Sequence, residues 1–165
     1  MSGTPLSTVL RRVSLIVRKH IEQSNLIENV KDPKEIEQSL LAWSYISEQD
    51  NLTLEIVLRT HELIMANLLP PKDAGHLRKF GVTVGNRLCP APRYVPELVD
   101  EWLVDMQDWK DHQPKKMHVW FERIHPFIDG NGRSGRMYMW WHEQKLEQKP
   151  TLINYLDRWA YYDWF

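Results

Sequence analysis

His125-Pro126-Phe127-Ile128-Asp129-Gly130-Asn131-Gly132-Arg133-Ser134-Gly135-Arg136 is the stretch on which the reading of this chain turns. Four kinds of chemistry sit in twelve residues. His125 is a candidate general base. Asp129 is a hard oxygen ligand suited to Mg²⁺. Gly130-Asn131-Gly132 is a turn whose backbone N–H groups can cradle an anion. Arg133 and Arg136 are spaced i, i+3, so a helix presents both from one face. A helix starting near Asn131 adds its positive dipole end at the same place. Together these features describe a site for a nucleotide's phosphates. No GxxxxGK[ST] string is present, so the site is not a P-loop. The plainer alternative is a helical corner with Gly and Asn at positive φ and arginines on its surface.

Composition narrows the classes. The chain has 165 residues, a usual length for one domain. Lys plus Arg is 21 and Asp plus Glu is 22, a net charge of −1. That balance argues against a nucleic-acid partner, which would need a basic face. Cys89 is the single cysteine, so neither an internal disulfide nor a thiolate metal cluster is expected, which fits a reducing cytoplasm. Arg11, Arg12, Arg18 and Lys19 interrupt the N-terminal apolar positions, and no signal peptide is read there. No apolar run approaches the ~18 residues of a membrane span, so no membrane partner is expected. The eight tryptophans are read as core and interface packing.

Periodicity outlines an all-α protein with one hairpin. Leu6, Val9, Leu10, Val13, Ile16, Val17 and Ile21 form the apolar stripe of a first helix. Asp32-Pro33-Lys34-Glu35 reads as a helix start, with Asp as N-cap, Pro at N1 and Glu at N3. Ile36, Leu40, Trp43 and Ile46 continue that helix. Thr53 caps the next, with Leu54, Val57, Leu58, His61, Met65 and Leu68 on its buried stripe and Pro70-Pro71 at its end. His61 is read as a satisfied core histidine. Phe80-Gly81-Val82-Thr83-Val84, the turn Gly85-Asn86 and Arg87-Leu88-Cys89 read as a short hairpin over about 79–90. Pro96 opens a helix through Leu98, Val99, Trp102, Leu103, Met106 and Trp109. Pro114 opens another, with Met117, Trp120, Phe121 and Ile124 inward, which delivers His125. A helix through Met137, Trp140 and Trp141 follows, broken by Lys149-Pro150. A last helix runs from Leu156 to Phe165.

The 125–136 stretch resembles the signature of the Fic family, HxFx(D/E)GNGRxxR, at all eight specified positions. The likeness extends to Ala74-Gly75-His76-Leu77-Arg78 with Val82-Thr83-Val84-Gly85, similar to the family's flap, and to Asp157-Arg158-Trp159-Ala160-Tyr161-Tyr162, similar to its C-terminal helix. The resemblance implies one compact Fic-type helical bundle over 1–165, with a hairpin flap. It implies transfer of AMP from ATP to a Ser, Thr or Tyr hydroxyl of a target protein or of the enzyme itself. His125 would be the base. Asp129 would hold Mg²⁺. Gly130, Asn131, Gly132, Arg133 and Arg136 would hold the phosphates. Phe127 anchors the loop.

Val82 and Val84 on the flap would dock an extended segment of the target by strand addition, although ordinary strand packing explains them as well. Tyr162, beside Tyr161, matches a position near the family's adenine pocket; at helical spacing such residues also serve as core. Ser24-Asn25-Leu26-Ile27-Glu28-Asn29 resembles the family's autoinhibitory pattern (S/T)xxxE(G/N). Ser24 and Glu28 would lie on an inhibitory helix over about 7–29, with Glu28 paired to Arg136. Alternatives are removal of AMP, transfer of another nucleotide, and a nucleotide-binding regulator without turnover. A homo-oligomer is compatible with all of them. A helix–turn–helix DNA binder fits least, since no basic recognition helix is present.

Overall fold

The computed structural model describes residues 15–165. The positions Leu6, Val9, Leu10, Arg11, Arg12 and Val13, and so the first half of the expected inhibitory helix, lie outside the described residues. Seven α-helices and one two-stranded hairpin follow in order among the described residues: α1 (Leu15–Ile27), α2 (Pro33–Ile46), α3 (Leu54–Met65), β1 (Thr83–Val84), β2 (Arg87–Leu88), α4 (Val95–Gln107), α5 (Pro114–Ile124), α6 (Asn131–Lys145) and α7 (Arg158–Tyr162). The all-α bundle with a single hairpin is the architecture expected from periodicity.

Local signals set most boundaries. Asp32 caps α2 by accepting from Lys34 N–H at 2.9 Å, with Pro33 at N1. Thr53 caps α3 by accepting from Ile56 N–H at 3.3 Å. Gly85, at φ 57°, makes the two-residue turn that pairs Thr83 with Leu88 and Val84 with Arg87. Cys89 is a free, buried thiol.

The central element is α6. Twelve of its residues are buried, so it has no wet face for most of its length. Around it lie α5, α3 and α1. Trp102, Trp140, Trp141, Tyr138, Phe121 and Phe127 fill the core. Their polar edges are satisfied: Trp102 donates to Met117 O, Trp140 to Thr151 O and Trp141 to Gln49 O, each at 3.0 Å, and Tyr138 donates to Val57 O at 2.9 Å.

Several expectations are corrected. Ile16 is exposed, because α1 turns a mixed face inward: His20, Ile21, Ser24, Asn25 and Ile27. Apolar periodicity missed this, since the helix packs against buried polar groups of α6. Leu68 lies beyond the end of α3 and is exposed. Trp109 falls past α4, in a 3₁₀ turn whose carbonyl meets His142 Nε2 at 2.6 Å. The helix α6 ends at Lys145, before Lys149-Pro150, where Glu147 adopts a left-handed conformation. The last helix is also shorter than expected. Leu156 sits exposed in a 3₁₀ turn, α7 spans Arg158–Tyr162, and Trp164 and Phe165 fold back beside the His118 ring.

Candidate active site

The site forms where α5 stops and α6 starts. His125 ends α5 in the left-handed region, at φ 50° and ψ 61°, with its N–H on Phe121 O at 3.0 Å. Two arginines outside the motif lock this corner. Arg78 is buried and donates to His125 O (2.7 Å), Phe80 O (2.9 Å) and Pro90 O (2.6 Å), tying both feet of the hairpin to the backbone of His125. Arg87, on β2, donates to Glu122 O at 3.2 Å and Arg123 O at 3.1 Å, covering carbonyls that the end of α5 leaves open. Arg78 lies in the flap-like stretch and Arg87 in the hairpin, and no motif marks either as a site residue. Apart from Phe80 O, their partners are carbonyls 12 to 47 residues away, which leave no mark in a residue pattern.

The loop is pinned from below. Phe127 is fully buried and stacks on the His61 ring at 3.7 Å between centroids, the anchoring role expected of it. Asn131 turns its side chain back into the loop, accepting from Phe127 N–H at 2.9 Å and donating to Phe127 O at 3.0 Å. Only its backbone therefore faces an anion. Gly75 N–H donates to His61 Nδ1 at 2.9 Å, so Nε2 carries the proton and donates to Asp129 O at 2.9 Å. His61 is the satisfied core histidine that was expected. Gly130, at φ 79°, begins α6, and a Cβ there would lie 2.6 Å from Met65 Sδ. The first helical bond runs from Ser134 N–H to Gly130 O at 3.0 Å. The N–H groups of Asn131, Gly132 and Arg133 thus have no helical carbonyl to donate to, and they mark the positive end of the helix.

A carboxylate from another helix occupies that end. Glu28 Oε1 accepts from Arg136 Nη2 at 2.7 Å and lies directly over Gly132, where any Cβ would collide with it. One oxygen makes the pair, so it is single-ended rather than bidentate. Arg136 is buried and has every nitrogen engaged: Nε donates to Ser24 Oγ at 2.8 Å, Nη1 to Tyr161 OH at 2.9 Å, and Nη2 also to Ser24 O at 3.1 Å. Burial opposes its charge, but Tyr161 and Glu28 more than compensate, and its pKa rises. Ser24 and Glu28 therefore both meet Arg136.

Arg133 is buried, its Nε has no partner, and its Nη2 stands 3.8 Å from Asp129 Oδ1. The Asp129 side chain is 63% exposed and accepts from Gly130 N–H at 2.6 Å. No cluster of three or more metal-ligating side chains exists among the described residues. A lone carboxylate suits Mg²⁺, which is commonly held by one or two carboxylates together with substrate phosphates.

The aromatic pair divides. Tyr161 is buried on Arg136 and His118, whereas Tyr162 is 40% exposed, with its hydroxyl donating to Ile27 O at 3.4 Å. Only Tyr162 retains a face for a base. Val84 is exposed and Val82 half-buried, beside an edge of β1 that no other strand covers among the described residues.

Three histidines, the buried His61 and His118 and the half-buried His125, share a consequence. Burial, the largest cause in each, pushes His61 to about 4, His118 to about 3 and His125 to about 4. The folded values lie below the unfolded one, so this stability is present above pH 6.5 and lost as pH falls. Glu122, pushed up to about 7 chiefly by burial, works the other way, since the fold gains from its protonation between pH 7 and 4.5. Burial lowers His142 and raises Glu143 as well, a pair that works in opposite senses; unfolding takes up about one to two net protons, and stability should fall by about 3 kcal/mol between pH 6.5 and 5. Melting curves across that range check this. A melting temperature unchanged down to pH 5 would mean that these rings are charged in the fold.

The buried Arg136 and the N-terminus of α6 converge on one anion-sized place, beside the His125 imidazole and the exposed Asp129 carboxylate. Comparison with known proteins agrees. Residues 51–142 match the model of the Fic/DOC family, and the chain belongs to that family. It is 30% identical over 125 residues to the protein adenylyltransferase Fic of Aedes aegypti, covering 72% of this chain and 25% of that one. It is 28% identical over 172 residues to the protein of the same name in Drosophila grimshawi, covering 98% of this chain and 35% of that one. The chain thus spans from a quarter to about a third of these relatives' length. Among solved structures, Fic-1 of C. elegans superposes with a TM-score of 0.71 at 19% identity, covering 98% of this chain and 58% of that one. A Fic-domain signalling protein of Bacteroides thetaiotaomicron gives 0.72 at 16% identity, covering 96% and 78%. These two show a shared fold.

Proposed function

We propose that this chain transfers AMP from ATP to a hydroxyl side chain of a target protein, or of itself, and that Glu28 restrains the transfer. One observation carries the reading: a carboxylate already sits on Arg136 over Gly132, the place a phosphate would take. In the active arrangement Arg136, freed of Glu28, and Arg133 clamp the outer phosphates. The backbone N–H groups at Asn131 and Gly132 donate to phosphate oxygens where charge develops, and Gly130 N–H, which Asp129 Oδ1 accepts here, joins them once Asp129 turns away. The hydroxyl oxygen bonds to the α-phosphorus, the bond to the β-phosphate's bridging oxygen breaks, and pyrophosphate departs. His125 takes the hydroxyl proton. Asp129 would hold Mg²⁺, which when bound would supply neutralisation of phosphate charge. The outer edge of β1, with Val82 and Val84, receives the target as an added strand. Tyr162 offers its exposed face to the base.

The test is incubation of the Glu28→Gly variant with labelled ATP, GTP, CTP and UTP, followed by mass spectrometry of any labelled protein. Label from none of the four would overturn the reading. Removal of AMP is the second reading, because Glu28 uses only one oxygen on Arg136 and its other could orient a water. In that case Glu28→Gly abolishes removal from a modified protein instead of releasing transfer. Asp129→Asn should weaken nucleotide binding in Mg²⁺ by about tenfold, through loss of the motif's only hard charged ligand. Calorimetry with and without EDTA reads this, and binding indifferent to both changes would reject Asp129 as the ligand. No helix among the described residues is long and apolar enough to cross a membrane.

A further inference from the structure

Glu122 has so far no role, yet it lies one helical turn before His125. It is 8% exposed. One oxygen, Oε2, stands 3.8 Å from His125 Nδ1. Its other oxygen, Oε1, has no hydrogen-bond partner among the described residues, and His125 Nδ1 makes no hydrogen bond of normal geometry there, although the backbone carbonyl of Glu122 also faces the ring. Leaving either unpaired is costly, and closing the gap by about 1 Å would join carboxylate and ring in a hydrogen bond. The opposite helix is cut to admit this side chain. At Gly135, one of the positions the Fic motif leaves open, a Cβ would lie 2.8 Å from Glu122 Oε1 and 2.9 Å from His118 Nδ1.

The surroundings are charged on several sides. Arg136 on α6 and Arg87 on β2 favour the ionised carboxylate, and Glu28 on α1 opposes it. His118, on α5 itself, accepts a hydrogen bond at Nε2 from the Tyr161 hydroxyl of α7 at 2.9 Å. A carboxylate held between these groups can change its charge without leaving its place.

We propose that Glu122 is a positioning residue for the base: its carboxylate accepts the Nδ1–H of His125, selects the tautomer that leaves Nε2 free for the incoming hydroxyl, and stabilises the imidazolium formed as that proton arrives. The proton goes to Nε2 of His125, and Glu122 only accepts a hydrogen bond. The inference rests on the reading of His125 as base. It also links restraint to chemistry. Removing Glu28 frees Arg136 and, by taking away a like charge, favours the ionised form of Glu122.

Two measurements test it. In the Glu28→Gly background, kcat for transfer is followed from pH 5.5 to 8.5 with and without Glu122→Gln. The parent should gain rate as Glu122 ionises, at a pH lower than in the protein that keeps Glu28. The Gln variant should be flat, at least about tenfold slower at pH 8 and close to the parent at pH 5.5, with its KM for ATP within about twofold. Glu122→Asp should restore part of the pH dependence. Parallel profiles, or an equal loss at every pH, would overturn the proposal in favour of a packing role. The second measurement needs no turnover, so it stands even if no transfer is found. Nitrogen-15 shifts of the His125 ring, assigned with His125→Ala, should show the Nδ1–H tautomer and an inflection near neutral pH that disappears in Glu122→Gln. An Nε2–H tautomer, or a ring that does not sense the substitution, refutes it.

Discussion

Replacing Glu28 with glycine is expected to raise AMP transfer by about a hundredfold, the scale of restoring one oriented donor at a developing charge. The reason lies in the geometry of Arg136. Among the described residues its four hydrogen bonds go to Ser24, Tyr161 and Glu28, and the only charged partner is Glu28, over Gly132. A γ-phosphate would have to displace that carboxylate or share its place against like-charge repulsion. Glycine removes both obstacles and leaves the Ser24 and Tyr161 contacts intact. The unliganded variant should lose about 1.5–3 kcal/mol, the usual worth of a hydrogen bond to a charged group. ATP should recover part of that loss by giving Arg136 a new partner. Thermal melts with and without ATP, beside transfer assays, read both effects. Arg136→Ala should be poorly active with or without Glu28. If Glu28→Gly is no faster than wild type on any nucleotide, residues 24–29 are merely the end of a helix.

His125→Ala is expected to lower transfer by about 10²–10⁴ while ATP binding stays within a few-fold. The phosphate donors come from α6 and the loop before it, and that loop is pinned by Phe127, Asn131 and His61, not by the His125 side chain. His125 occupies a left-handed backbone position, so alanine there adds strain unrelated to catalysis. Asparagine tolerates that conformation better, and His125→Asn controls for it. Titration calorimetry and single-turnover assays of both variants separate binding from chemistry. Binding lost in step with transfer would make His125 a structural residue.

Much of this architecture was legible in the chain, where the cause is local. Asp32, Thr53 and the Gly85-Asn86 turn act on backbone groups a few residues away, so pattern and structure coincide. The same holds for the corner at His125, where base, exposed carboxylate, glycine turn and arginines are consecutive. The Glu28–Arg136 contact was anticipated only because both residues matched a known pattern; they are 108 positions apart. What the tertiary structure alone decided is which buried polar groups meet. Arg78 finds carbonyls up to 47 residues on, Arg87 covers the end of α5, Tyr161 turns inward while Tyr162 stays out, and α1 buries Ser24 in preference to Ile16. Apolar spacing sorts side chains by their affinity for water. A buried guanidinium or carboxylate is placed instead by donors and acceptors that must be satisfied one by one, and these exist only once the helices have packed.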